Sequence, residues 1–377
     1  MTSPLSALTT LGVGGTPRSL IRATTREALI AASLEAFDDE RWLLVGGGSN
    51  LLVSDEPFDG TVVVVATEGI DERRDGDRVQ LTVEAGHNWD ALVAFAVSHG
   101  WAGIEALSGI PGTVGAAPIQ NIGAYGQELA GSLEAVEFLD ARSGAIDWIP
   151  VERLKLGYRT SAFKGDGEVP EPELTGTILR VQLTLHDTGG ESLPIGFEQL
   201  ATSLGVPLGA RVAVSHVRAR VLELRASKGM VLDGADLDSR SAGSFFMNPV
   251  VSARVAAALP ADAPRWPLDP EEPDLVVPLG ELANYAHALM APSSTGERQF
   301  KLSAAWLIEH AGVPKGFRLG TSRAAVSSKH TLALTNRGGA TAEEIAQLAR
   351  FIQSRVQAEF GIWLAPEPRC IDVDLAP

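Results

Sequence analysis

The chain has 377 residues, with 31 Lys and Arg against 47 Asp and Glu, so its formal net charge is −16, and 45% of its residues are hydrophobic. This composition is typical of a folded globular protein of two or three domains, and the acidity argues against a binder of nucleic acid or anionic membranes. The single cysteine, Cys370, excludes a disulfide framework and a multi-cysteine metal site.

Short strands and glycine-rich loops dominate the first third of the chain. Residues 41–45, 61–66 and 79–85 are rich in Val and Leu and are predicted strands. Asn88 is a candidate N-cap for a helix that runs to about residue 98. A long loop over 107–127 follows, and loops of this length without secondary structure are usually functional.

The rest of the chain alternates strand and helix signals. Residues 135–139 and 145–149 predict a hairpin, 177–186 a strand, 197–228 a mostly helical stretch, 229–240 a boundary and 261–273 a surface loop. Ser303 is a candidate cap for a short helix. Thr341 and Glu344 form a capping-box pattern, and the helix that they begin is expected to end at Gly361.

Two glycine-rich loops are candidate binding sites. The segment Gly46-Gly47-Gly48-Ser49-Asn50 lies between predicted strands and can bring backbone N–H groups close to an anion, although a tight turn explains it equally well. It is not a Rossmann dinucleotide loop, because Leu51 stands where the third glycine belongs. In the second loop, small residues leave room for a flat ring, and Thr113 and Asn121 can address ring polar atoms. The alternative is an ordinary buried loop.

Six motifs occur in order along nearly the whole chain. They are G-G-G-S-N-L-L at 46–52, S-G-I-P-G-T-V-G-A-A-P-I-Q-N-I-G-A-Y-G at 108–126, Y-R-T-S-A-F-K at 158–164, A-G-S-F-F-M-N-P at 242–249, A-A-V-S-S-K-H at 324–330 and W-L-A-P-E-P-R at 363–369. Together they closely resemble the UDP-N-acetylenolpyruvoylglucosamine reductase (MurB) family, in its longer type. These are flavoenzymes of peptidoglycan precursor synthesis.

The resemblance implies an α+β fold, with a two-subdomain FAD-binding fold of the vanillyl-alcohol-oxidase/PCMH type and a smaller α+β substrate-binding domain. We expect the first FAD subdomain over 1–66, the second over 67–229 and the substrate-binding domain over 230–360. The C-terminal tail, 361–377, is expected to return near the active site.

The same resemblance implies FAD as cofactor and NADPH as hydride donor, for the reduction of UDP-N-acetylglucosamine enolpyruvate to UDP-N-acetylmuramate. The FAD is expected to be non-covalent, because neither glycine loop contains His or Cys. The predicted FAD-binding residues are Gly46, Gly47, Gly48, Ser49, Asn50 and Leu51 in the first loop, and Ser108, Gly109, Ile110, Pro111, Gly112, Thr113, Gly115, Ala116, Gln120, Asn121, Gly123, Ala124 and Tyr125 in the second.

Three residues are expected to carry the chemistry at the substrate. Arg159 has a planar guanidinium whose paired donors suit a carboxylate. Ser244 is followed by two aromatic residues that exclude water, and Glu367 is fixed between two prolines. Without the motif context, an isolated Arg is more often part of a surface ion pair, and a Ser after Gly is more often a cap or turn residue. A Glu near the C-terminus is more often solvated. The family pattern assigns Arg159 to the carboxylate, Ser244 to proton donation and Glu367 to stabilising the enol.

Tyr158, Lys228 and Asn248 match family positions that contact the substrate. Two departures weaken the predicted contacts: Met247 stands where some relatives have Lys, and Phe197 stands where longer members often carry Tyr. Two other functions remain open. An oxidase of the same fold would pass electrons to O₂, and a non-catalytic protein would only bind flavin or a UDP-sugar.

We expect a cytoplasmic monomer that has no nucleic-acid or membrane partner. No apolar run approaches the ~20 residues of a membrane span, and the first residues lack the basic stretch and apolar core of a signal peptide. The sequence contains no H-E-x-x-H motif or cysteine cluster, so no catalytic transition metal is predicted.

Overall fold

A computed structural model describes residues 3–164, 172–268 and 298–375. The first region is a parallel three-stranded sheet with one helix. Its central strand, β4, lies between β1 and β2. The elements are β1 (Pro17–Ala23), α1 (Arg26–Phe37), β2 (Trp42–Val45), β3 (Leu51–Val53) and β4 (Phe58–Val65).

The second region is a larger antiparallel sheet, in the order β11-β10-β12-β6-β5, with β7 beside β12. Its strands and helix are β5 (Ile70–Asp75), β6 (Arg78–Glu84), α2 (Trp89–Ser98), β7 (Trp101–Ala102), β8 (Gly123–Ala124), β9 (Gln127–Glu128), β10 (Leu133–Asp140), β11 (Ile146–Pro150) and β12 (Gly176–Asp187). Two helices follow, α3 (Glu198–Leu204) and α4 (Val214–Ser227), and the buried Val217 and Val221 of α4 face α3 in a shared cluster.

The third region surrounds one long helix with small sheets. Strands β13, β15 and β14 form one sheet, and β16 pairs with β17 in another. The elements are β13 (Val250–Ser252), α5 (Ala253–Ala258), β14 (Arg265–Leu268), β15 (Gln299–Leu302), α6 (Ala304–His310), β16 (Ala324–Val326), β17 (Leu334–Asn336), α7 (Ala342–Phe360) and β18 (Arg369–Ile371).

Strand β18 does not join its own region but pairs in parallel with β3, next to the first glycine loop. The core also crosses the predicted boundaries, since Leu11, Val13 and Leu52 pack in the same cluster as the buried face of α7. The domain limits at 66, 229 and 360 therefore stay predictions, while the packing joins the N-terminal segment to the C-terminal region.

Most predicted elements are confirmed, including all three helix caps, at Asn88, Ser303 and Thr341. Asn88 Oδ1 accepts from Ala91 N–H at 2.9 Å, and Thr341 and Glu344 form the expected capping box before α7. Such caps satisfy N–H groups that the first helical turn leaves unpaired. Gly361 ends α7 in the left-handed conformation, with φ +69°.

Two expectations differ from the structure. The loop predicted over 261–273 contains β14, because residues 265–268 pair with β15; residues 269–273 lie outside the described residues. The loop over 107–127 contains a 3₁₀ segment, Val114–Gln120, and the short strand β8. The mostly helical stretch predicted over 197–228 is confirmed, as two helices; Gly205, with φ +71°, ends the first of them.

None of the helices in the described ranges is long and apolar enough to cross a membrane. Within the same ranges, His, Cys, Asp and Glu side chains form no group of three or more that could hold a metal ion.

Candidate active site

The first glycine loop packs tightly against the second. A Cβ added to Gly47 would lie 2.7 Å from Gly112 Cα, and one on Gly48, whose φ is +60°, would overlap the Leu8 carbonyl. Ser49 Oγ donates to Pro111 O at 2.9 Å. Close packing thus explains part of the glycine content, and it holds the two loops face to face.

Backbone donors remain free on the first loop. The N–H groups of residues 47–50 form no hydrogen bond with any residue that the structure describes. Consecutive unpaired N–H groups on a glycine-rich turn form a concave site for an anion. This donor set fits the diphosphate of FAD, and the small residues of the second loop fit a flat ring beside it.

In the second loop, several side chains hold the loop itself. Asn121 has φ +44° and is buried; its Nδ2 donates to Glu128 Oε2 and Gly157 O, and its Oδ1 accepts from Ala130 N–H. Ser108 Oγ donates to Glu105 O at 2.7 Å. Both side chains are therefore occupied by protein partners, and the groups left for a ligand are mainly backbone.

Arg159 lies against this second loop. Its Nη2 donates to Gly123 O at 3.0 Å and its Nη1 to Asn121 O at 3.4 Å. Its Nε lies 3.0 Å from Glu367 Oε1, although the N–H does not point along that line, so the pair is ionic rather than a well-aligned hydrogen bond. The backbone at Arg159 is left-handed, with φ +58°.

The tail brings Glu367 beside the segment that carries Ser244. Glu367 N–H donates to Phe245 O at 2.9 Å, and Met247 N–H donates to Ala365 O at 3.0 Å. Phe245 and Phe246 are fully buried, which fixes the segment. The Ser244 hydroxyl forms no hydrogen bond within the described part of the chain, so it is free to meet a ligand.

Burial raises the pKa of Glu367, and the positive charges of Arg159 and Lys164 oppose this shift. Burial also lowers the pKa of Lys164, which the nearby Glu367 opposes. We did not predict Lys164 from the sequence, although it ends the Y-R-T-S-A-F-K motif five residues after Arg159. The site thus holds an acid and two cations close together.

Tyr158 lies next to Arg159 and has Asn248 as a neighbour. Burial raises the pKa of Tyr158, and the charge of Arg159 and hydrogen bonding with Asn248 oppose this shift. Asn248 Oδ1 accepts from Ala304 N–H at 3.0 Å. The Tyr158 ring lies 5.6 Å from Arg159 Cζ and 5.0 Å from Lys301 Nζ, a second cation that the sequence did not suggest. Tyr158 is 39% exposed, so its ring is open to a ligand.

Lys228 lies farther along, at the end of α4. Its Nζ is 5.6 Å from the centre of the Tyr125 ring, and the Phe197 ring meets the Tyr125 ring edge-on with centroids 6.2 Å apart. Burial lowers the pKa of Lys228. Lys228 and Phe197 therefore lie beside Tyr125 of the second glycine loop, whereas Tyr158 lies beside Arg159.

Two family models match the chain, an FAD binding domain over residues 17–147 and the UDP-N-acetylenolpyruvoylglucosamine reductase C-terminal domain over residues 235–371. A curated UDP-N-acetylenolpyruvoylglucosamine reductase of Leifsonia xyli subsp. xyli is 53% identical and covers 100% of both chains. The chain belongs to the UDP-N-acetylenolpyruvoylglucosamine reductase family.

A second family member, from Saccharopolyspora erythraea, is 46% identical over 99% of this chain and 96% of its own. The crystal structure of a reductase of this family from Thermus caldophilus matches with a TM-score of 0.60 and 27% identity, over 98% of this chain and 97% of that one. The predicted family and fold class are confirmed. The individual site residues stay predictions, because similarity of whole chains tests no single side chain.

Proposed function

We propose that this chain reduces UDP-N-acetylglucosamine enolpyruvate to UDP-N-acetylmuramate with FAD and NADPH, in peptidoglycan precursor synthesis. When bound, FAD supplies the transfer of hydride from NADPH to the enolpyruvyl double bond. The proposal rests chiefly on the ion pair of Arg159 with Glu367, which lies against the second glycine loop and beside the Ser244 segment.

Arg159 is suited to hold the substrate carboxylate. Two carbonyls of the second loop anchor its guanidinium, and part of its five N–H donors stays available. A fixed cation at this point stabilises the negative charge that develops on the carboxylate when hydride reaches the neighbouring carbon. Anchoring beforehand means that little reorganisation is needed during the reaction.

Ser244 and Glu367 are suited to handle the proton. Burial raises the pKa of Glu367, so its carboxylate takes up a proton more readily than that of an ordinary Glu and is suited to stabilise an enol while it stays beside Arg159. The free Ser244 hydroxyl can then deliver a proton to the carbon. The buried Phe245 and Phe246 fix the backbone of the segment that carries Ser244.

The test is to measure the two half-reactions of Ser244→Ala separately by stopped flow. Reduction by NADPH needs no proton delivered to the substrate, so we expect it to stay unchanged. Reoxidation by the enolpyruvyl sugar should slow roughly 10²–10⁴-fold, the usual range for a general acid. Wild-type reoxidation in the variant would contradict the assignment, and rapid reoxidation of the wild type by O₂ alone would favour an oxidase.

Ser241→Ala is the matched control. Ser241 lies three residues upstream, and its Oγ accepts from Gly243 N–H at 3.2 Å, so its role is to hold the turn. We expect a loss of about 1 kcal/mol in stability with both half-reactions preserved.

We also propose that the enzyme acts as a monomer in the cytoplasm, without a nucleic-acid or membrane partner. The acidity of the chain supports the absence of a nucleic-acid or membrane partner, because a net charge of −16 is repelled by nucleic acid and by anionic membranes. Analytical ultracentrifugation over a range of concentrations tests whether the enzyme is a monomer, and a stable dimer would contradict this. Fractionation of cells tests the cytoplasmic location.

A further inference from the structure

Arg369 lies directly beside the first glycine loop. It is the first residue of β18, and its N–H donates to Asn50 O at 2.9 Å. In the parallel pairing of β18 with β3, it is opposite Leu51, the residue that follows the loop. Its backbone is thus fixed at the end of the row of free N–H groups, residues 47–50.

The side chain of Arg369 points away from the C-terminal core. Cys370, the next residue, packs against that core, whereas Ile371 packs with Val45 and Leu51 in the cluster beneath the loop. Successive side chains of a strand point to opposite faces. Arg369 therefore shares a face with Ile371, on the side of the loop.

Arg369 has no counter-charge within the described residues. Its guanidinium forms no ion pair or hydrogen bond there, and no nearby carboxylate offsets the burial that lowers its pKa. Nevertheless the residue is exposed to solvent. A group that is surrounded by protein yet reached by water lines a cleft. In a chain with a net charge of −16, an arginine without an acidic partner at such a place is suited to an anionic ligand.

We propose that Arg369 binds the diphosphate of FAD, adding a full positive charge to the backbone N–H groups of residues 47–50. The proposal rests on the FAD-dependent function above and assigns the part of the cofactor that this residue contacts. Backbone N–H groups carry only partial charges, while a guanidinium forms paired, charge-assisted hydrogen bonds with phosphate oxygens.

The test compares FAD with riboflavin, which has the same ring and no phosphate. Full-length Arg369→Gln is stripped of flavin and titrated with each compound by flavin fluorescence. Loss of one charged hydrogen-bonding partner should weaken FAD binding roughly 10- to 100-fold and leave riboflavin binding unchanged. Arg41→Gln is the control, because it removes the same charge near the same strand from an exposed pair with Asp372 at 2.6 Å. We expect it to bind both compounds as the wild type does.

The possible results distinguish a failure of the role proposed for Arg369 from a failure of the proposed function. A wild-type protein that binds no FAD overturns the function itself, whereas equal FAD affinity in wild type and Arg369→Gln overturns only the role of Arg369. Equal losses for FAD and riboflavin, or a changed midpoint potential of bound FAD, would assign the cation to the ring and overturn the diphosphate contact. If Arg369→Gln does not fold, Arg369→Lys is titrated instead, because it keeps the charge but lacks the paired donors of the guanidinium. Weaker FAD binding with unchanged riboflavin binding then supports the proposal, and wild-type affinity for both overturns it.

Discussion

The loop of residues 46–50 and the catalytic junction of Arg159, Ser244 and Glu367 are built in different ways. The loop is one contiguous segment that offers backbone N–H groups, and its glycines are needed where it touches the second loop. The junction brings together side chains from three distant segments, and the pairing of the tail with the Phe245 segment holds it. Cofactor binding and substrate chemistry should therefore respond to different substitutions.

The largest expected effect separates chemistry from cofactor binding. Arg159→Gln removes the cation from the junction, and loss of such a stabilising group typically costs about 10²–10³-fold in rate. We expect this loss in reoxidation by the enolpyruvyl sugar, with FAD affinity and reduction by NADPH preserved. Stopped-flow kinetics and flavin fluorescence measure the two properties.

Arg153→Gln is the control for that experiment, because Arg153 is exposed and lies six residues upstream of Arg159. It should leave both half-reactions unchanged. If Arg159→Gln also releases FAD, the junction and the cofactor site are not separable and the comparison fails.

The converse substitution is Gly48→Ala. The added Cβ overlaps the Leu8 carbonyl at a left-handed φ of +60°, so the loop must move. We expect FAD affinity to fall roughly 10- to 100-fold, since overpacking of this kind costs about 1–3 kcal/mol. Gly234→Ala is the control, because a Cβ there meets nothing within 4 Å. A Gly48→Ala protein that binds FAD normally would show that the loop tolerates displacement.

A pH effect should arise at His330, on the junction side. Burial, followed by the charges of Lys228 and Lys315, lowers the pKa of His330 to about 4 from 6.5, while Glu309 opposes the shift. His330 lies on the turn whose Leu332 O accepts from Phe245 N–H. Between pH 6.5 and 4 the unfolded state binds the proton more readily, so stability is full above pH 6.5 and is lost as the pH falls towards 4.

We expect this residue to contribute about 2–3 kcal/mol to that loss, which follows from the size of the shift. Urea unfolding of the wild type and of His330→Gln at pH 7.5 and pH 4.5 measures it. The variant should lose less stability on acidification than the wild type does. Equal losses would mean that His330 is already protonated in the folded protein.

The smallest expected effect concerns the link between the loop of residues 46–50 and the catalytic junction. Asn50 Nδ2 donates to Gln120 Oε1 at 2.7 Å and to Glu367 O at 3.3 Å. Asn50→Ala should cost about 1 kcal/mol and change FAD affinity and reoxidation rate together by a few fold. Gln120→Ala removes only the first bond and should spare reoxidation. Equal effects of the two variants on reoxidation would contradict the link to Glu367.

Sequence patterns predicted the features that depend on neighbouring residues. The caps of α2 and α7 and the hairpin of β10 and β11 are local and were correct. Helix α1 was missed because its buried face consists of Leu29, Ala32, Ser33 and Ala36, which gives no large apolar stripe. Small residues can pack closely without leaving a hydrophobic pattern.

The site was predictable in its identities but not in its contacts. Motif resemblance selected Arg159 and Glu367, yet spacing along the chain cannot indicate that their side chains meet at 3.0 Å. Nor could it indicate that Asn121, predicted to address the ligand, has both polar atoms engaged by protein partners. Hydrogen-bond occupancy depends on the tertiary structure.

The pairing of β18 with β3 also determines the order in which parts of the structure can form while the chain is synthesised. Residues 51–53 leave the ribosome early, but their partner strand, residues 369–371, is among the last described segments to be made. Because domains generally fold as they emerge, the N-terminal sheet can form while β3 still has an open edge. The nascent protein must therefore keep this edge from mispairing until the tail arrives, and capture of the flavin by the complete site becomes a late event in maturation.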